Sequence, residues 1–256
     1  MANGEAPREQ ALVFGEIADQ YDAFRPTYPD ALFDAIVEYG ALQSGDAALE
    51  IGAGTGKATT GFVQRGVTVH AIEPSAEMAR VLRAKGVDVE VTTFADWTLQ
   101  PAAFRLVFAA QSWHWVQNAD RYDKVAAALG PGGTMALFWN VGRPHPEPFK
   151  TDNDAVYARL VPQMTSSIRQ RADEDQFVSD VATGGLFEPL IERIFTWERS
   201  YSSAEWRQLL GTHSDHRILP DDVRSELHAE IGAVIDAHGG SLPVVYDTKL
   251  YLARRR

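Results

Sequence analysis

Three glycines spaced two apart behind an acid, in Glu50-Ile51-Gly52-Ala53-Gly54-Thr55-Gly56, are the residues of this chain best suited to grip a ligand with the main chain. Glycine reaches positive φ without steric cost and brings backbone close to a ligand with no Cβ in the way; the start of a following helix adds free N–H groups facing the same crevice. A second acid, Glu73, stands 21 residues after Gly52 at the end of a strand-like run, where a carboxylate can accept both hydroxyls of a ribose. Further on, Trp113-His114-Trp115 sets an imidazole, which titrates near neutral pH, between two large aromatic rings. The chemistry on offer is a main-chain cradle for a nucleotide-like group, with one ionisable side chain near it.

Spacing narrows the ligand. A dinucleotide fingerprint opening at Gly52 needs glycine at 57, where Lys57 stands, and a phosphate loop ending in Gly56-Lys57 needs glycine at 51 and a hydroxyl residue at 58, where Ile51 and Ala58 stand. The pattern that remains, an acid followed by G-x-G-x-G, resembles the first motif of class I S-adenosylmethionine (SAM)-dependent methyltransferases. The resemblance implies that Gly52, Gly54 and Gly56 line the methionine moiety, that Glu50 accepts from its ammonium directly or through water, and that Glu73 takes the ribose. It places Pro74 and Met78 at the start of the helix beneath the adenine. Thr93-Phe94-Ala95-Asp96-Trp97 is similar to the family's acidic motif, in which the aspartate accepts from the adenine amino group, and Ala110 and Gln111 end the strand that closes the site.

Tyr21, Arg25 and Tyr28, with the Trp-His-Trp cluster, resemble a subgroup that acts on small molecules and includes trans-aconitate methyltransferase-like proteins, in which the first helix closes over SAM. Tyr28 and Arg25 then touch the methionine carboxylate or fix a turn. His114 accepts a proton from the acceptor, orients it by hydrogen bonding, or packs structurally. Trp113 and Trp115 line an apolar pocket or belong to the core, and only one of two alternating residues can face the ligand. Trp139 and Asn140, at the end of the fifth strand, form the opposite wall of the pocket. Arg143, Lys150, Arg169 and Arg171 are candidates to receive an acidic acceptor, or are simply solvated. His213-Ser214-Asp215-His216 is weak evidence for a metal, and no metal is expected.

The reading is therefore methyl transfer from SAM to a small molecule, with S-adenosylhomocysteine as co-product. Two others stay open: an NAD(P)-dependent reductase, against which Lys57 and the lack of a Tyr-x-x-x-Lys pair count, and a SAM-binding protein without catalysis.

Composition sets outer bounds. The chain has 256 residues, 45% of them hydrophobic, which is enough for one α/β domain with insertions. Its 24 basic and 35 acidic residues give a net charge of −11, and this field repels phosphate backbones, so a nucleic-acid partner is not expected. The chain contains no cysteine, which excludes a thiolate nucleophile and a disulfide framework. No run is long and apolar enough to span a bilayer and no leader is visible, so a cytoplasmic protein without a membrane partner is expected. Oligomeric state is left open.

The positioning elements follow from periodicity. The patterns predict helices over 9 to 23, 30 to 37, 57 to 65, 75 to 84 and 119 to 129, alternating with strands over 46 to 51, 67 to 73, 87 to 92, 104 to 110 and 133 to 139. Gly130-Pro131-Gly132-Gly133 reads as a turn before the fifth strand, and the proline-rich 143 to 148 as a loop. Helices over 151 to 172, 203 to 211 and 221 to 238 and strands over 191 to 199 and 244 to 253 follow. Strands alternating with helices mean a doubly wound α/β sheet. With the family resemblance this becomes a Rossmann-like, seven-stranded, mostly parallel sheet with helices on both faces and helical insertions forming a cap. Residues 1–40 are then a lid over the cofactor, 41–142 the SAM-binding core, and 143–256 the rest of the sheet with the cap.

Overall fold

Four largely apolar runs become adjacent parallel strands: β1 (Ala47–Ile51), β2 (Thr68–Ile72), β4 (Phe104–Ala110) and β5 (Leu129–Gly142). A two-residue β3 (Val89–Glu90) pairs with the outer side of β2. The computed structural model describes residues 17–164, 181 and 184–256. Two late strands, β6 (Ile191–Ser202) and β7 (Ser241–Arg254), complete a seven-stranded sheet in the order β3-β2-β1-β4-β5-β7-β6. β7 runs antiparallel to both neighbours and the rest of the pairings are parallel, as the sequence predicts.

The chain reverses its direction of travel across the sheet between β1 and β4. The loops leaving the carboxyl ends of these strands therefore part and open a crevice, the place where ligands bind in such sheets. Apolar side chains alternate to the two faces. Leu49, Val107, Leu137 and Tyr251 pack on one side with α5 (Arg121–Ala128), and Ala48, Leu106, Phe108 and Phe138 pack on the other against α2 (Asp30–Gly40) and α3 (Thr59–Val63). Phe108 and Phe138 lie nearly parallel at 6.3 Å between ring centres, each fully buried and each worth about 1.5–3 kcal/mol of apolar transfer.

Three elements differ from the predicted ones. α3 is a little over one turn because its residues are weak helix formers and Gly61 is pressed against the Phe33 ring, where a Cβ would overlap. β5 starts four residues early: the register steps from Phe104↔Leu129 to Leu106↔Thr134, so the glycine-rich turn survives as a bulge inside a longer strand, with Gly132 at φ 68°. The predicted third strand shrinks to two paired residues. The first predicted helix is described only as α1 (Ala18–Phe24), and the part before residue 17 lies outside the described residues, as does the end of the helix predicted over 151 to 172.

α6 (Phe149–Leu160), α7 (Ser203–Leu210) and α9 (Asp221–Ala237), with the short α8 (Ser214–Arg217), form a helical layer of their own. Phe149, Val156, Trp206, Leu210, Leu227 and Ile231 meet there, and the layer is seated on Tyr201 and Tyr246 at the ends of β6 and β7. Ser202 and Glu205 close a reciprocal cap on α7, so the helix begins where β6 stops. α1 is wedged between this layer and α4 (Ala76–Ala84): Ala18 packs on Met78 and Val81, and Gln20 Nε2 donates to the Gln208 carbonyl at 3.0 Å. No described helix is long and apolar enough to cross a membrane.

Candidate active site

The three glycines after β1 all take positive φ, at 69°, 56° and 85°, but they serve different ends. At Gly52 a Cβ would stand 2.7 Å from Cβ of Ser112, whose Oγ donates to the Ile51 carbonyl at 2.5 Å, so this glycine lets the loops after β1 and β4 touch. At Gly56 a Cβ would overlap the buried Leu82 of α4. Gly54 alone of the three faces open space, with no atom within 4 Å of where a Cβ would lie. It is the part of the loop over which a ligand can lie.

Two buried carboxylates stand behind the loop. Glu73, just past β2, accepts from the Gly54 N–H at 2.8 Å on one oxygen and from the Ser75 N–H at 2.9 Å on the other. Burial raises its pKa against the lowering effect of these two N–H groups. Glu50, the penultimate residue of β1 and 1% exposed, accepts from the Thr59 hydroxyl and has no cationic partner among the described residues. Burial, with a smaller push from the charge of Glu73, raises its pKa to about 8, and the Thr59 hydroxyl works in the opposite direction.

The rim is set by Trp113–Trp115, a turn of 3₁₀ helix after β4. His114 is exposed, its ring centre 4.6 Å from that of Trp115, and Trp139 Nε1 donates to its Nδ1 at 3.4 Å. A neutral imidazole that accepts at Nδ1 carries its proton on Nε2, which makes Nε2 the donor atom of His114. Gln111, at φ 58°, donates from Nε2 to the Asn140 carbonyl at 3.1 Å and ties the ends of β4 and β5 together, beside the half-buried Ala110.

Several sequence-predicted contacts are occupied elsewhere. Phe94, Trp97 and Trp113 are core residues: the first two stack at 6.1 Å, and Trp113 Nε1 donates to the Tyr122 hydroxyl at 3.2 Å. Met78 is buried under α1, and half-buried Pro74 precedes Ser75, whose Oγ caps α4 on the Met78 N–H at 3.3 Å. Arg25 lies over the Tyr21 ring and donates to the Thr212 carbonyl at 2.7 Å, reaching the cap instead of the loop. Tyr28 packs edge-on against Phe138, and burial holds its hydroxyl well above the usual phenol range. Asn140 donates to the Thr27 carbonyl at 2.9 Å and accepts from the Thr248 hydroxyl at 2.6 Å, which commits its amide to tying β5 to β7 and to the loop before α2. Asp96 is exposed and accepts from the Thr93 hydroxyl at 2.7 Å.

Of the basic residues read as receivers of an acid, Arg143 pairs with Asp247 at 2.7 Å and Lys150 with Asp154 at 2.5 Å, while 169 and 171 lie outside the described residues. His213, Asp215 and His216 do converge, with one ligand atom from each inside 4.8 Å. Both ring nitrogens of His216 are nevertheless engaged, by the Tyr157 hydroxyl at 3.2 Å and His228 Nε2 at 3.0 Å, so the group is wired as a hydrogen-bond chain.

Sequence reasoning missed the residues that latch α1 to the loop. Lys57 donates to the Asp22 carbonyl at 2.7 Å, and Lys85 reaches the Asp22 carboxylate at 2.6 Å and the Thr55 carbonyl at 2.9 Å. Nothing in the spacing of Asp22, Lys57 and Lys85 along the chain announces that they meet.

A Rossmann-like sheet, a glycine loop over its first strand and two acids behind that loop come together at the carboxyl edge of the strands, where nucleotide-like ligands bind in such sheets. Residues 48–133 match the family model described as a methyltransferase domain. An uncharacterized methyltransferase of Mycobacterium tuberculosis is 38% identical over 135 residues, 52% of this chain and 54% of that protein, so the match spans about half the length of the mycobacterial relative. An uncharacterized methyltransferase of Schizosaccharomyces pombe is 26% identical over 224 residues, 86% of this chain and 85% of that one. Among solved structures, one described as a type II methyltransferase from Anaeromyxobacter dehalogenans superposes with a TM-score of 0.66 at 25% identity, covering 90% of this chain and 98% of that one. A phosphoethanolamine N-methyltransferase 2 of Haemonchus contortus, solved with phosphomonomethylethanolamine and S-adenosylhomocysteine, shares the fold at a TM-score of 0.53 and 15% identity over 94% of this chain and 57% of that one. The chain is thus similar to methyltransferases along most of its length, and the family model falls on β1 to the start of β5.

Proposed function

We propose that this chain transfers a methyl group from SAM to a small-molecule acceptor and releases S-adenosylhomocysteine. The observation that carries the reading is Gly54, whose open, left-handed position is held by Glu73 at the carboxyl edge of the sheet. When bound, SAM supplies an electrophilic methyl on a sulfonium, open to in-line displacement. The residues present fit it. Glu50 offers a buried carboxylate to the ammonium, Glu73 keeps a lone pair on each oxygen for the ribose, and Asp96 is an exposed acceptor for the adenine amino group.

His114 supports a positioning role. With Nδ1 engaged by Trp139, its Nε2 donates a hydrogen bond to an oxygen or nitrogen of the acceptor, which favours orientation over proton abstraction. Trp115 and Trp139 supply the apolar wall beside it. In this reading residues 1–40 serve as the lid, 41–142 hold SAM, and 143–256 complete the sheet and roof the acceptor, in a cytoplasmic protein.

A thermal-shift comparison of S-adenosylhomocysteine, SAM, NADH and NADPH tests the cofactor directly. A rise confined to the two adenosyl-sulfur ligands is expected and would open an acceptor screen. A rise confined to the nicotinamide ligands would overturn the reading.

A further inference from the structure

α1 cannot hold itself in place. It has seven residues, short of the length at which a helix is stable alone, and Ala18 is the one residue of the seven that is buried. Tyr21 adds a half-buried ring against Met78 and Val81, and Phe24 another against the cap. The remaining hold is charge. Lys57, which follows Gly56 directly, donates to the Asp22 carbonyl at 2.7 Å, and Lys85, just past α4, reaches the Asp22 carboxylate at 2.6 Å and the Thr55 carbonyl at 2.9 Å. One residue of α1 is thus gripped through main chain and side chain by two lysines, one of them also bonded to the glycine loop.

The ion pairs of α1 are unequal. Asp19 and Arg80 meet at 2.8 Å with side chains 79% and 59% exposed, so water screens them heavily. Asp22 and Lys85 are 27% and 29% exposed. Burial pushes the Asp22 carboxyl up, yet its hydrogen bonds and the charges of Lys85 and Lys57 outweigh this and hold it below the ordinary carboxylate range. Thr55, between Gly54 and Gly56, is buried, and its carbonyl shares the Lys85 ammonium with Asp22.

From this geometry, and resting on the reading of that loop as the SAM cradle, we propose that Asp22, Lys57 and Lys85 form an ionic latch that controls how fast the cofactor enters and leaves. While Asp22 is gripped, α1 borders the residue next to Gly54. Once it is released, little apolar burial keeps the helix there, and Gln20 and Arg25 leave it hinged on the cap through the Gln208 and Thr212 carbonyls. The three are positioning residues: the latch slows entry and exit together, so it changes rates more than affinity. Because the closing force acts between charges, salt weakens it.

Surface plasmon resonance with S-adenosylhomocysteine over the immobilised full chain reads both rates. Lys85→Met and Asp22→Ala should each raise entry and exit about tenfold while affinity changes by less than about threefold. Wild-type rates should rise from about 0.05 M to about 0.5 M salt, and those of the two variants should not. Arg80→Met removes the exposed pair alone and should behave as wild type. Hydrogen exchange of the unliganded Lys85→Met chain should speed up about tenfold over 18–25 and 54–57, with 104–110 still protected. Unchanged rates in both variants, a rise in exit alone with affinity falling in step, or faster exchange over 104–110 as well would each overturn the latch. A wild-type chain that does not bind S-adenosylhomocysteine overturns the cofactor reading and the gate with it; bound ligand with unaltered variant rates overturns the latch alone.

Discussion

Glu73 accepts from the Gly54 N–H at 2.8 Å, so the acid that follows β2 braces the loop that follows β1. The spacing of the two motifs predicts a ribose ligand at Glu73; the structure gives the same carboxylate a second task, holding the cradle in shape before anything binds. Glu73→Ala leaves two buried N–H groups without an acceptor. A loss of about 1–3 kcal/mol in stability is expected, with S-adenosylhomocysteine affinity down at least tenfold by titration calorimetry. Glu73→Gln should recover less than half of the effect, because its amide has one acceptor where the loop needs two.

Glu50 makes both stability and binding depend on pH. Its native pKa of about 8 lies above the ordinary 4.5, so between these values the folded chain binds a proton that the unfolded chain does not. Its contribution is full below pH 4.5 and is lost as pH rises through 8, with a slope approaching about 1.4 kcal/mol per pH unit within that window. Glu50→Gln should flatten that part of the curve in urea titrations from pH 5 to 9. An incoming ammonium favours the carboxylate, so binding near pH 7 should release close to one proton. Calorimetry in buffers of different ionisation enthalpy reads this, and zero release would remove Glu50 from the ammonium seat.

Gly54 and Gly56 should separate binding from folding. Gly54→Val meets no neighbour, so its cost is backbone strain of about 1–2 kcal/mol, while its side chain fills the cradle and abolishes cofactor binding. Gly56→Ala collides with Leu82 in the core and should cost about 1–3 kcal/mol, with weaker binding only as a consequence of lost fold. Melting curves beside binding isotherms distinguish the two.

His114→Ala should lower turnover about 10- to 100-fold once an acceptor is known, with cofactor affinity unchanged. Because the Trp139 bond leaves Nε2 as a donor, His114→Asn should restore part of the rate. Full activity in the alanine variant would make the residue structural.

Much of this was legible in the sequence because strand periodicity and glycine spacing are local signals. The sheet, its switch point and the acids Glu50 and Glu73 all lie where the patterns put them. What misled was direction. Phe94, Trp97 and Trp113 sit beside the right strands, yet their rings point into the core, since large aromatics gain more from full burial than from a wet crevice. Arg25 and Asn140 serve the carbonyls of Thr212 and Thr27, contacts that only the folded chain creates.

The helical layer has its own apolar centre, fastened to the sheet through the ends of β6 and β7, where the Tyr201 and Tyr246 hydroxyls meet at 2.9 Å. Such a unit can loosen as one piece while β1, β2, β4 and β5 stay closed, so protection of backbone amides from exchange should fall in two tiers, lower over 203–237 than over 104–110. Under the proposed function the layer that roofs the acceptor would also be its door, and the frequency of that partial opening would set a ceiling on how often product can leave.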